Sequence, residues 1–295
     1  MIILDHLLIG AAISLPTNDP VIIGVTVFGS IFPDLDTIVA RPGTIKYLQK
    51  HRTVTHSTIL SPLYALLIAL FASLIFPGYS TFKLGLWSLL GIAGHLLVDI
   101  FNSFGTMIFY PVKRKIHLDL IYEFDPVISL IFLSICIQFY FISSQTTLLL
   151  LINALLITLY YLFRFYSRHR FLKNLSTNYK KEIENAERIF LVPAKYWRWK
   201  GIIVLNNEYL IYRIINKKLK VEKRPVREIT GEFKTEEVMA YKNYARALDF
   251  YITDDTINIH NLIYSPSVYM LTIKFKNKLK QKVSISLPNI KFKDY

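Results

Sequence analysis

The sequence predicts an α-helical, multispanning membrane domain followed by a small β-rich (α+β) domain in the cytoplasm. The 295-residue chain is 53% hydrophobic with a mean hydropathy of +0.35, which is too apolar for an ordinary soluble protein. Residues 1–163 hold eight basic and eight acidic side chains. Residues 164–295 hold the remaining 27 basic and 13 acidic ones, which is the entire excess of +14. This asymmetry indicates two bodies, an apolar one and a basic one.

Domain boundaries are predicted where the composition changes. Residues 1–166 form the predicted transmembrane domain, 167–190 a charged helical connector, and 191–295 the basic β-rich domain. The one cysteine, Cys136, lies in an apolar run, which excludes an intrachain disulfide and a cysteine metal cluster. Because the first residues include Asp5 in place of a basic segment, we do not expect a cleaved secretory signal.

Six apolar runs define the helical domain. Two short runs at 2–15 and 21–32, joined by a turn at 16–20, either form a hairpin that crosses the bilayer partly or span it with help from neighbouring helices. Four longer spanning candidates follow at about 58–76, 84–104, 126–143 and 146–163.

The distribution of basic residues predicts the orientation. If each run crosses once, the loops at 37–56 and 106–124 and the chain after 164 lie on one side, and the opposite loops carry Lys83 as their one basic residue. Lys and Arg in short loops mark the cytoplasmic face. We therefore expect a multi-pass protein of the inner membrane with a cytoplasmic C-terminal domain.

The C-terminal domain has a strand-like pattern of β-branched and aromatic residues. Strands are predicted at 202–205, 209–215, 268–275 and 283–287, with a helix near 235–248. Alternating lysines either form a solvated strand face or contact anionic lipid headgroups, and they are Lys274, Lys276, Lys278, Lys280 and Lys282. No nucleic-acid reading motif is found, so a nucleic-acid partner is not expected.

A histidine and a carboxylate lie four residues apart within the run at 84–104. His95 and Asp99 share one helical face, where they can hold one metal ion or form a hydrogen bond between helices. Ionisable residues in membrane segments are costly and therefore indicate function. The predicted topology brings further ligand-type side chains to the same depth. The predicted metal ligands are His6, Asp34, Asp36, His51, His56, His95 and Asp99.

The ligand types indicate the metal and the reaction. Imidazole and carboxylate suit zinc, manganese or iron, and seven ligands are enough for one or two divalent ions, with zinc favoured. Such ions activate water and hold the oxygens of a displaced phosphoryl or acyl group. We assign His56, His95 and Asp99 to catalysis as well as to metal binding. Thr55 and Ser57 flank His56 and are expected to orient its ring.

Other polar residues have simpler interpretations. Arg52, Lys113 and Arg114 are predicted to bind an anionic part of the substrate. Asp125 precedes Pro126, which is typical of a helix N-cap, although it could also add a ligand. The remaining histidines are interpreted as surface residues, and they are His117, His169 and His260.

Four short motifs occur in a fixed order along the first part of the chain. They are His6-Leu-Leu-Ile-Gly10, Pro33-Asp34-Leu-Asp36, His51-Arg52-Thr-Val-Thr55-His56-Ser57 and Gly91-xxx-His95-xxx-Asp99-xx-Asn102-xx-Gly105. Over roughly residues 1–130 the set resembles the family of bacterial and archaeal inner-membrane metal-dependent hydrolases, some of them linked to the SOS response. The resemblance implies a multispanning membrane protein with a metal-ion hydrolase site at these positions. The β-rich extension lies outside it.

Three functions are compatible with these features. The first is a membrane-embedded metal-dependent hydrolase that cleaves a phosphoester or acyl bond of an amphiphilic substrate, for which we favour a phospholipid, at the cytoplasmic leaflet. The second is a non-catalytic, metal-stabilised regulatory or scaffold protein whose basic domain binds a partner or anionic lipid. The third is an ion transporter that uses the same acids. The sequence leaves the oligomeric state open.

Overall fold

The chain forms two compact units. The computed structural model describes residues 3–39, 45–122, 125–141, 146–194, 197–206, 208–215, 218–225, 248–253, 256–261, 270–276 and 279–286. The first unit comprises Met1–Asp36 and Arg52–His169, and the second comprises Thr37–His51 and Arg170–Tyr295. The three-part division of the chain into 1–166, 167–190 and 191–295 stays a prediction.

The described part of the first unit is helical. Its helices are α1 (Ile3–Ser14), α2 (Pro20–Ile31), α5 (Ser61–Ile75), α6 (Thr81–Phe101), α7 (Pro126–Phe141) and most of α8 (Thr146–Asn178). Short helices at other points are α3 (Asp36–Val39), α4 (Ile45–Lys50) and α9 (Lys180–Glu184). Two 3-10 turns matter for the site, Phe32–Leu35 after α2 and Val54–His56 before α5.

Among the described residues, three helical segments are long and apolar enough to cross a membrane, namely Pro20–Val39, Thr81–Phe101 and Thr147–Asn178. The predicted spans at 58–76 and 126–143 are helices of 15 and 16 residues, which is short against the roughly 20 residues that a bilayer core requires. The run predicted to end at 32 instead continues through a 3-10 turn into α3. Apolar helical segments are therefore confirmed, with altered lengths.

Helices α2 and α6 approach each other closely at two glycines. A methyl group on Gly91 of α6 would overlap the carbonyl oxygen of Thr26, and one on Gly29 of α2 would overlap the carbonyl oxygen of Ser88. Helix α5 packs on another side of α6, where Ala65, Ile68, Ile92 and Leu96 form a buried cluster. The two glycines thus let the backbones of α6 and α2 touch, which fixes α6, the helix of Asp99, against the helix that leads into the turn with Asp34.

A second group of contacts joins α1, α7 and α8 around Ile9, Val98, Ile128 and Phe132. Buried polar pairs support it. Ser129 donates to Asp5 over 2.5 Å, and Tyr160 donates to Asp125 over 2.6 Å. Asp125 also accepts from the backbone N–H of Val127, over 3.1 Å. This confirms the N-cap interpretation of Asp125.

The last predicted span, 146–163, lies within the longer helix α8, which runs without a break to Asn178. The chain changes from apolar to charged near residue 164, but no glycine or proline occurs between 146 and 178 to end the helix there. The guanidinium of Arg164 is buried within this helix and donates from Nε to the Leu120 carbonyl oxygen over 2.8 Å.

The described strands of the second unit form two antiparallel four-stranded sheets, each in sequential order. The first contains β1 (Arg188–Pro193), β2 (Trp199–Val204), β3 (Glu208–Ile215) and β4 (Lys218–Pro225). The second contains β5 (Leu248–Thr253), β6 (Thr256–Asn261), β7 (Met270–Lys276) and β8 (Leu279–Ser286). The β-rich prediction is confirmed.

Four of these strands were predicted and four were missed. The predicted segments correspond to β2, β3, β7 and β8. Strands β4, β5 and β6 were missed because β4 is highly charged and β5 and β6 are short and polar in part, whereas β1 is a short apolar segment without alternation. The helix predicted near 235–248 lies outside the described residues, apart from Leu248, which begins β5. The register places Lys274 opposite Lys282, as expected for lysines of one hairpin, and Lys278 lies outside the described residues.

Candidate metal centre

Four segments of the first unit deliver polar side chains to one buried position. Helix α1 supplies His6, the 3-10 turn after α2 supplies Asp34, the turn before α5 supplies His56, and α6 supplies His95 with Asp99 one turn later. All five side chains are buried. The carbonyl oxygen of His6 accepts from the Ser30 hydroxyl over 2.7 Å, which ties α1 to α2 next to the cluster.

Four ligand-type atoms face one another at the centre of this cluster. His56 Nε2 lies 3.1 Å from His95 Nε2. It also lies 3.5 Å from both Asp34 Oδ1 and Asp99 Oδ2. His95 Nε2 lies 3.6 Å from each of the same two oxygens. Five distances of 3.1–3.6 Å therefore join the two nitrogens to each other and each nitrogen to both carboxylate oxygens.

These five separations are close to the distances between ligand atoms in a tetrahedral zinc site. Zinc binds histidine nitrogen and carboxylate oxygen at about 2.0–2.1 Å, and the edge of such a tetrahedron is roughly 3.3–3.4 Å. The observed separations bracket that edge. The described His and Asp groups can therefore hold a metal ion, and the two nitrogens and two oxygens fit the ligand types of zinc.

The hydrogen bonds of the two imidazoles point their lone pairs at the same place. His95 Nδ1 lies 2.6 Å from the Ser30 carbonyl oxygen, which can only accept, so Nδ1 carries the proton. The Thr55 hydroxyl donates to Asp36 over 2.9 Å and accepts from His56 Nδ1 at 3.1 Å. Both Nε2 atoms are then unprotonated in the neutral rings, and lone pairs 3.1 Å apart are stabilised by a proton or a metal ion between them.

His6 lies on the other side of the two carboxylates. Its Nε2 is 3.7 Å from Asp34 Oδ2 and 3.7 Å from Asp99 Oδ1, and its ring stacks on His95 with centroids 3.7 Å apart. Neither ring nitrogen has a hydrogen-bond partner among the described residues. A buried imidazole with unmade hydrogen bonds is costly, which is consistent with a ligand position.

Arg52 contacts the centre through Asp99. Its guanidinium donates to Asp99 Oδ1 and to Asn102 Oδ1, each over 2.9 Å, and Asn102 Nδ2 donates to Asp99 Oδ1 over 3.3 Å. Arg52 is 5% exposed and has a left-handed backbone, with φ of +61°. Sequence reasoning placed this side chain on the substrate, whereas the structure shows it positioning a predicted ligand. A substrate contact stays a prediction.

Asp36 and Thr55 lie just outside the four-atom set. Asp36 Oδ2 is 3.8 Å from His56 Nδ1 and accepts from the Arg52 backbone N–H over 3.3 Å. Thr55 thus orients the His56 ring, as expected. Ser57 does not bond to that ring, because its hydroxyl donates to the Tyr110 carbonyl oxygen over 3.0 Å and fixes the following loop instead.

The electrostatic environment favours positive charge at this position. Burial lowers the pKa of His56, but the adjacent Asp34 and Asp99 carboxylates outweigh it and raise that pKa above the usual value. Two carboxylates around two imidazoles thus supply the charge that a divalent ion would neutralise.

The other predicted site residues are not part of this four-atom set. His51 belongs to the second unit, where its ring stacks on Tyr47 with centroids 4.5 Å apart. Its role as a ligand stays a prediction. Lys113 and Arg114 are exposed in the loop after α6. His117, interpreted as a surface residue, is partly exposed and pairs with Asp119. Asn102 was missed as a positioning residue, although it stands in the His95–Asp99 motif.

Comparison with known proteins identifies the family. A sequence profile of the YdjM inner membrane protein family matches residues 1–171, which is more than half of the chain. The chain is also 28% identical over 221 residues to the Uncharacterized protein YfhP of Bacillus subtilis (strain 168). That match covers 70% of this chain and 66% of YfhP, just under two thirds of the relative. No solved structure matches significantly.

The chain therefore belongs to the YdjM inner membrane protein family. The matched residues extend beyond the predicted 1–130 and include α7 and most of α8. An inner-membrane location is confirmed at this level. The family description names a location and no reaction.

Proposed function

We propose that this member of the YdjM family is a membrane-embedded, metal-dependent hydrolase. Its substrate would be amphiphilic and lipid-like, cleaved at a phosphoester or acyl bond at the cytoplasmic leaflet. The observation that supports this best is that His56 Nε2 and His95 Nε2 lie 3.1 Å apart and each lies 3.5–3.6 Å from both Asp34 Oδ1 and Asp99 Oδ2, although these residues come from three segments far apart in sequence. We favour zinc, held by Asp34, His56, His95 and Asp99, with manganese or iron as alternatives.

The predicted topology supports a position at the membrane surface. Asp34 lies near the end of the candidate span Pro20–Val39, and Asp99 lies near the end of Thr81–Phe101. If both segments cross, the acids lie at the side where the basic loops at 37–56 and 106–124 emerge. That side is cytoplasmic by the distribution of Lys and Arg. A multi-pass arrangement with a cytoplasmic C-terminal domain is part of this proposal.

Each residue of the centre has a defined task in this proposal. The bound ion supplies a Lewis acid and an activated water for hydrolysis. Asp34 is the most exposed of the four proposed ligands, at 8%, so the substrate approaches past its carboxylate. Thr55 and the Ser30 carbonyl hold the two imidazoles in the required tautomers. Arg52 and Asn102 hold the Asp99 carboxylate.

The position of Arg52 favours one ion over two. A second ion between His6 and the outer carboxylate oxygens would need Asp99 Oδ1, which already accepts from the guanidinium. The guanidinium supplies positive charge where the second ion would otherwise do so. In this arrangement His6 acts on the outer oxygens of Asp34 and Asp99 and positions them.

Elemental analysis of the purified full-length protein tests the metal. We expect about one divalent ion per chain in the wild type and a large loss in His95→Ala. His169→Ala, which removes an exposed histidine of α8, should keep the metal. Absence of metal from a folded wild-type protein would refute the centre.

Products distinguish the bond that is cleaved. Phospholipid in mixed micelles should yield a phosphate-containing headgroup or phosphate if the phosphoester is attacked, and free fatty acid if the acyl ester is attacked. Either product, lost in His95→Ala and kept in His169→Ala, supports the hydrolase. Lack of both products with a metal-loaded wild type would refute it.

The burial of the centre supports a second function, a metal-stabilised membrane protein without catalysis. Structural zinc sites have four protein ligands and no open position, and three of the four proposed ligands here are completely buried. Under this alternative, His95→Ala fails to assemble. Under the hydrolase proposal, the variant inserts and folds but does not turn over substrate.

A further inference from the structure

A groove in the loop after α6 combines positive charge with an apolar rim. Its volume is about 570 Å³, and it is lined by Phe109, Val112, Arg114, Lys115, Ile116 and His117. Lys113 carries the same charge but is not among the described lining residues. Of the three consecutive basic residues, Arg114 and Lys115 therefore line the groove and Lys113 does not.

Backbone hydrogen bonds connect this loop to the metal centre. Thr106 and Ile116 form an antiparallel bridge with two hydrogen bonds of 3.0 and 2.9 Å. The Met107 N–H donates to the Arg52 carbonyl oxygen over 3.0 Å, and the Leu118 N–H donates to Ile100 over 2.7 Å. The groove is thus fixed next to Arg52 and to the end of α6, which carries Asp99.

A buried acid orients the histidine of the groove. His117 Nδ1 lies 3.1 Å from Asp119 Oδ2, and Asp119 is 5% exposed with φ of +53°. Non-glycine residues with such a backbone are uncommon and concentrate at functional sites. Because Nδ1 contacts this carboxylate, Nε2 is the ring nitrogen that remains for a ligand.

Arg114 and Lys115 can also bind an anion. Arg114 is exposed and makes no ion pair with any described residue, so its guanidinium can form a bidentate contact with a phosphate. Burial lowers the pKa of Lys115 to about 8, and the positive charge of Arg52 adds to this effect. An anionic ligand beside Lys115 would stabilise its charged form and so offset the cost of burial.

The rim of the groove indicates that the anion belongs to a lipid. Phe109 and Val112 are 51% and 59% exposed, and the loop begins directly after the candidate span Thr81–Phe101. Exposed apolar side chains next to basic ones are typical of surfaces that lie at the headgroup level of a bilayer. A free phosphate ester would leave this apolar rim in water.

We propose that this groove binds the phosphate of an anionic phospholipid headgroup, with Arg114, Lys115 and His117 contacting the phosphate and Phe109 and Val112 contacting the adjoining chains. The inference rests on the proposed function, because it identifies the groove as the site that holds the lipid substrate beside the metal centre. Asp119 acts as a positioning residue for His117.

Binding is tested by calorimetry on the detergent-solubilised full-length protein after chelation. The probe is short-chain phosphatidylglycerol, compared with glycerol phosphate, inorganic phosphate and short-chain diacylglycerol. Charge-assisted hydrogen bonds contribute about 1.5–3 kcal/mol, so Arg114→Ala and His117→Ala should each weaken binding about 10-fold or more. Lys113→Ala should change it less than about 2-fold.

The controls separate the groove from the centre. The phosphate-free diacylglycerol should not bind, and glycerol phosphate should bind more weakly than the lipid. Equal losses in Lys113→Ala and Arg114→Ala would overturn the proposal by indicating diffuse surface charge. Equal affinity for glycerol phosphate would overturn the lipid assignment.

Failure of the groove and failure of the metal centre give different results. Because the titration uses chelated protein, His95→Ala should bind the lipid as the wild type does, whatever the metal content. Arg114→Ala should keep the metal and, if turnover is found, raise KM with little change in kcat. A normal KM in Arg114→Ala would contradict the groove as the substrate site.

Discussion

His56 Nε2 and His95 Nε2 lie 3.1 Å apart, although the two residues are 39 positions apart in the chain. The partners of their Nδ1 atoms, Thr55 and the Ser30 carbonyl, assign the ring protons away from this contact. Two neutral rings would therefore oppose their lone pairs. A cation between them removes the repulsion, and both the proposed function and the first prediction depend on this relationship.

Removal of the metal should destabilise the wild-type protein. A ligand that binds the native state alone stabilises it by about 2.7 kcal/mol at one hundred times its Kd. We expect chelation to lower the Tm of the detergent-solubilised wild type by several degrees, measured by differential scanning fluorimetry. His95→Ala should respond little to chelator, and an equal response of both proteins would count against the centre.

Loss of Arg52 should harm the chelated protein more than the metal-loaded one. Removing one partner of a buried ion pair costs about 3–5 kcal/mol, because the other charge stays buried. A bound ion also neutralises Asp99 and so replaces part of the lost guanidinium. We expect Arg52→Met to lower the Tm more after chelation than before it. Arg52→Lys should recover part of the loss, since lysine keeps the charge without the two-pronged contact.

The comparison of chelated and loaded protein is the control for Arg52. A loss of the same size in both states would contradict an electrostatic link between the guanidinium and the ion.

The close contact of α2 and α6 predicts opposite effects for two glycine substitutions. Gly91→Ala places a methyl group against the Thr26 carbonyl oxygen, and overpacking of this kind costs about 1–3 kcal/mol. Gly24→Ala is the matched control, because a methyl group there meets nothing within 4 Å and alanine favours the helix. We expect a lower Tm and less bound metal in Gly91→Ala alone. Equal Tm values would contradict the packing argument.

The lowered pKa of Lys115 predicts that the stability of the protein depends on pH. Its pKa of about 8 in the folded protein lies below the usual lysine pKa of 10.5, so between these values the unfolded chain binds more protons. The stability contributed by this residue therefore rises as pH increases through that window. Lys115→Met should be more stable than the wild type below pH 8, with a difference that shrinks toward pH 10.5.

Lys113→Met removes the same charge from an exposed neighbour and serves as the control for Lys115. Thermal unfolding across the pH range measures both variants. A Lys115→Met difference that stays constant with pH would contradict burial as the cause.

Local sequence patterns predicted the ligands that share an element. His95 and Asp99 are four residues apart in an apolar run, so their helical geometry alone places them on one face. The apolar runs, the basic C-terminal part and the strands with β-branched residues also followed from composition and periodicity. Boundaries followed less well, because no glycine or proline marks the end of the apolar part of α8.

Only the tertiary structure decided how the separate segments meet. The absence of a side chain at Gly91 lets α6 approach α2, and that approach places Asp34 beside His95. The same packing brings Arg52 to Asp99, whereas the sequence alone predicted that Arg52 contacts the substrate.

The sequence by itself determined which chemistry this protein can offer, because imidazoles and carboxylates are costly in apolar segments and their residue types are fixed by the chain. The structure decided the distances at which they meet. Those distances depend on side-chain packing between helices distant in sequence, and no local pattern contains that information.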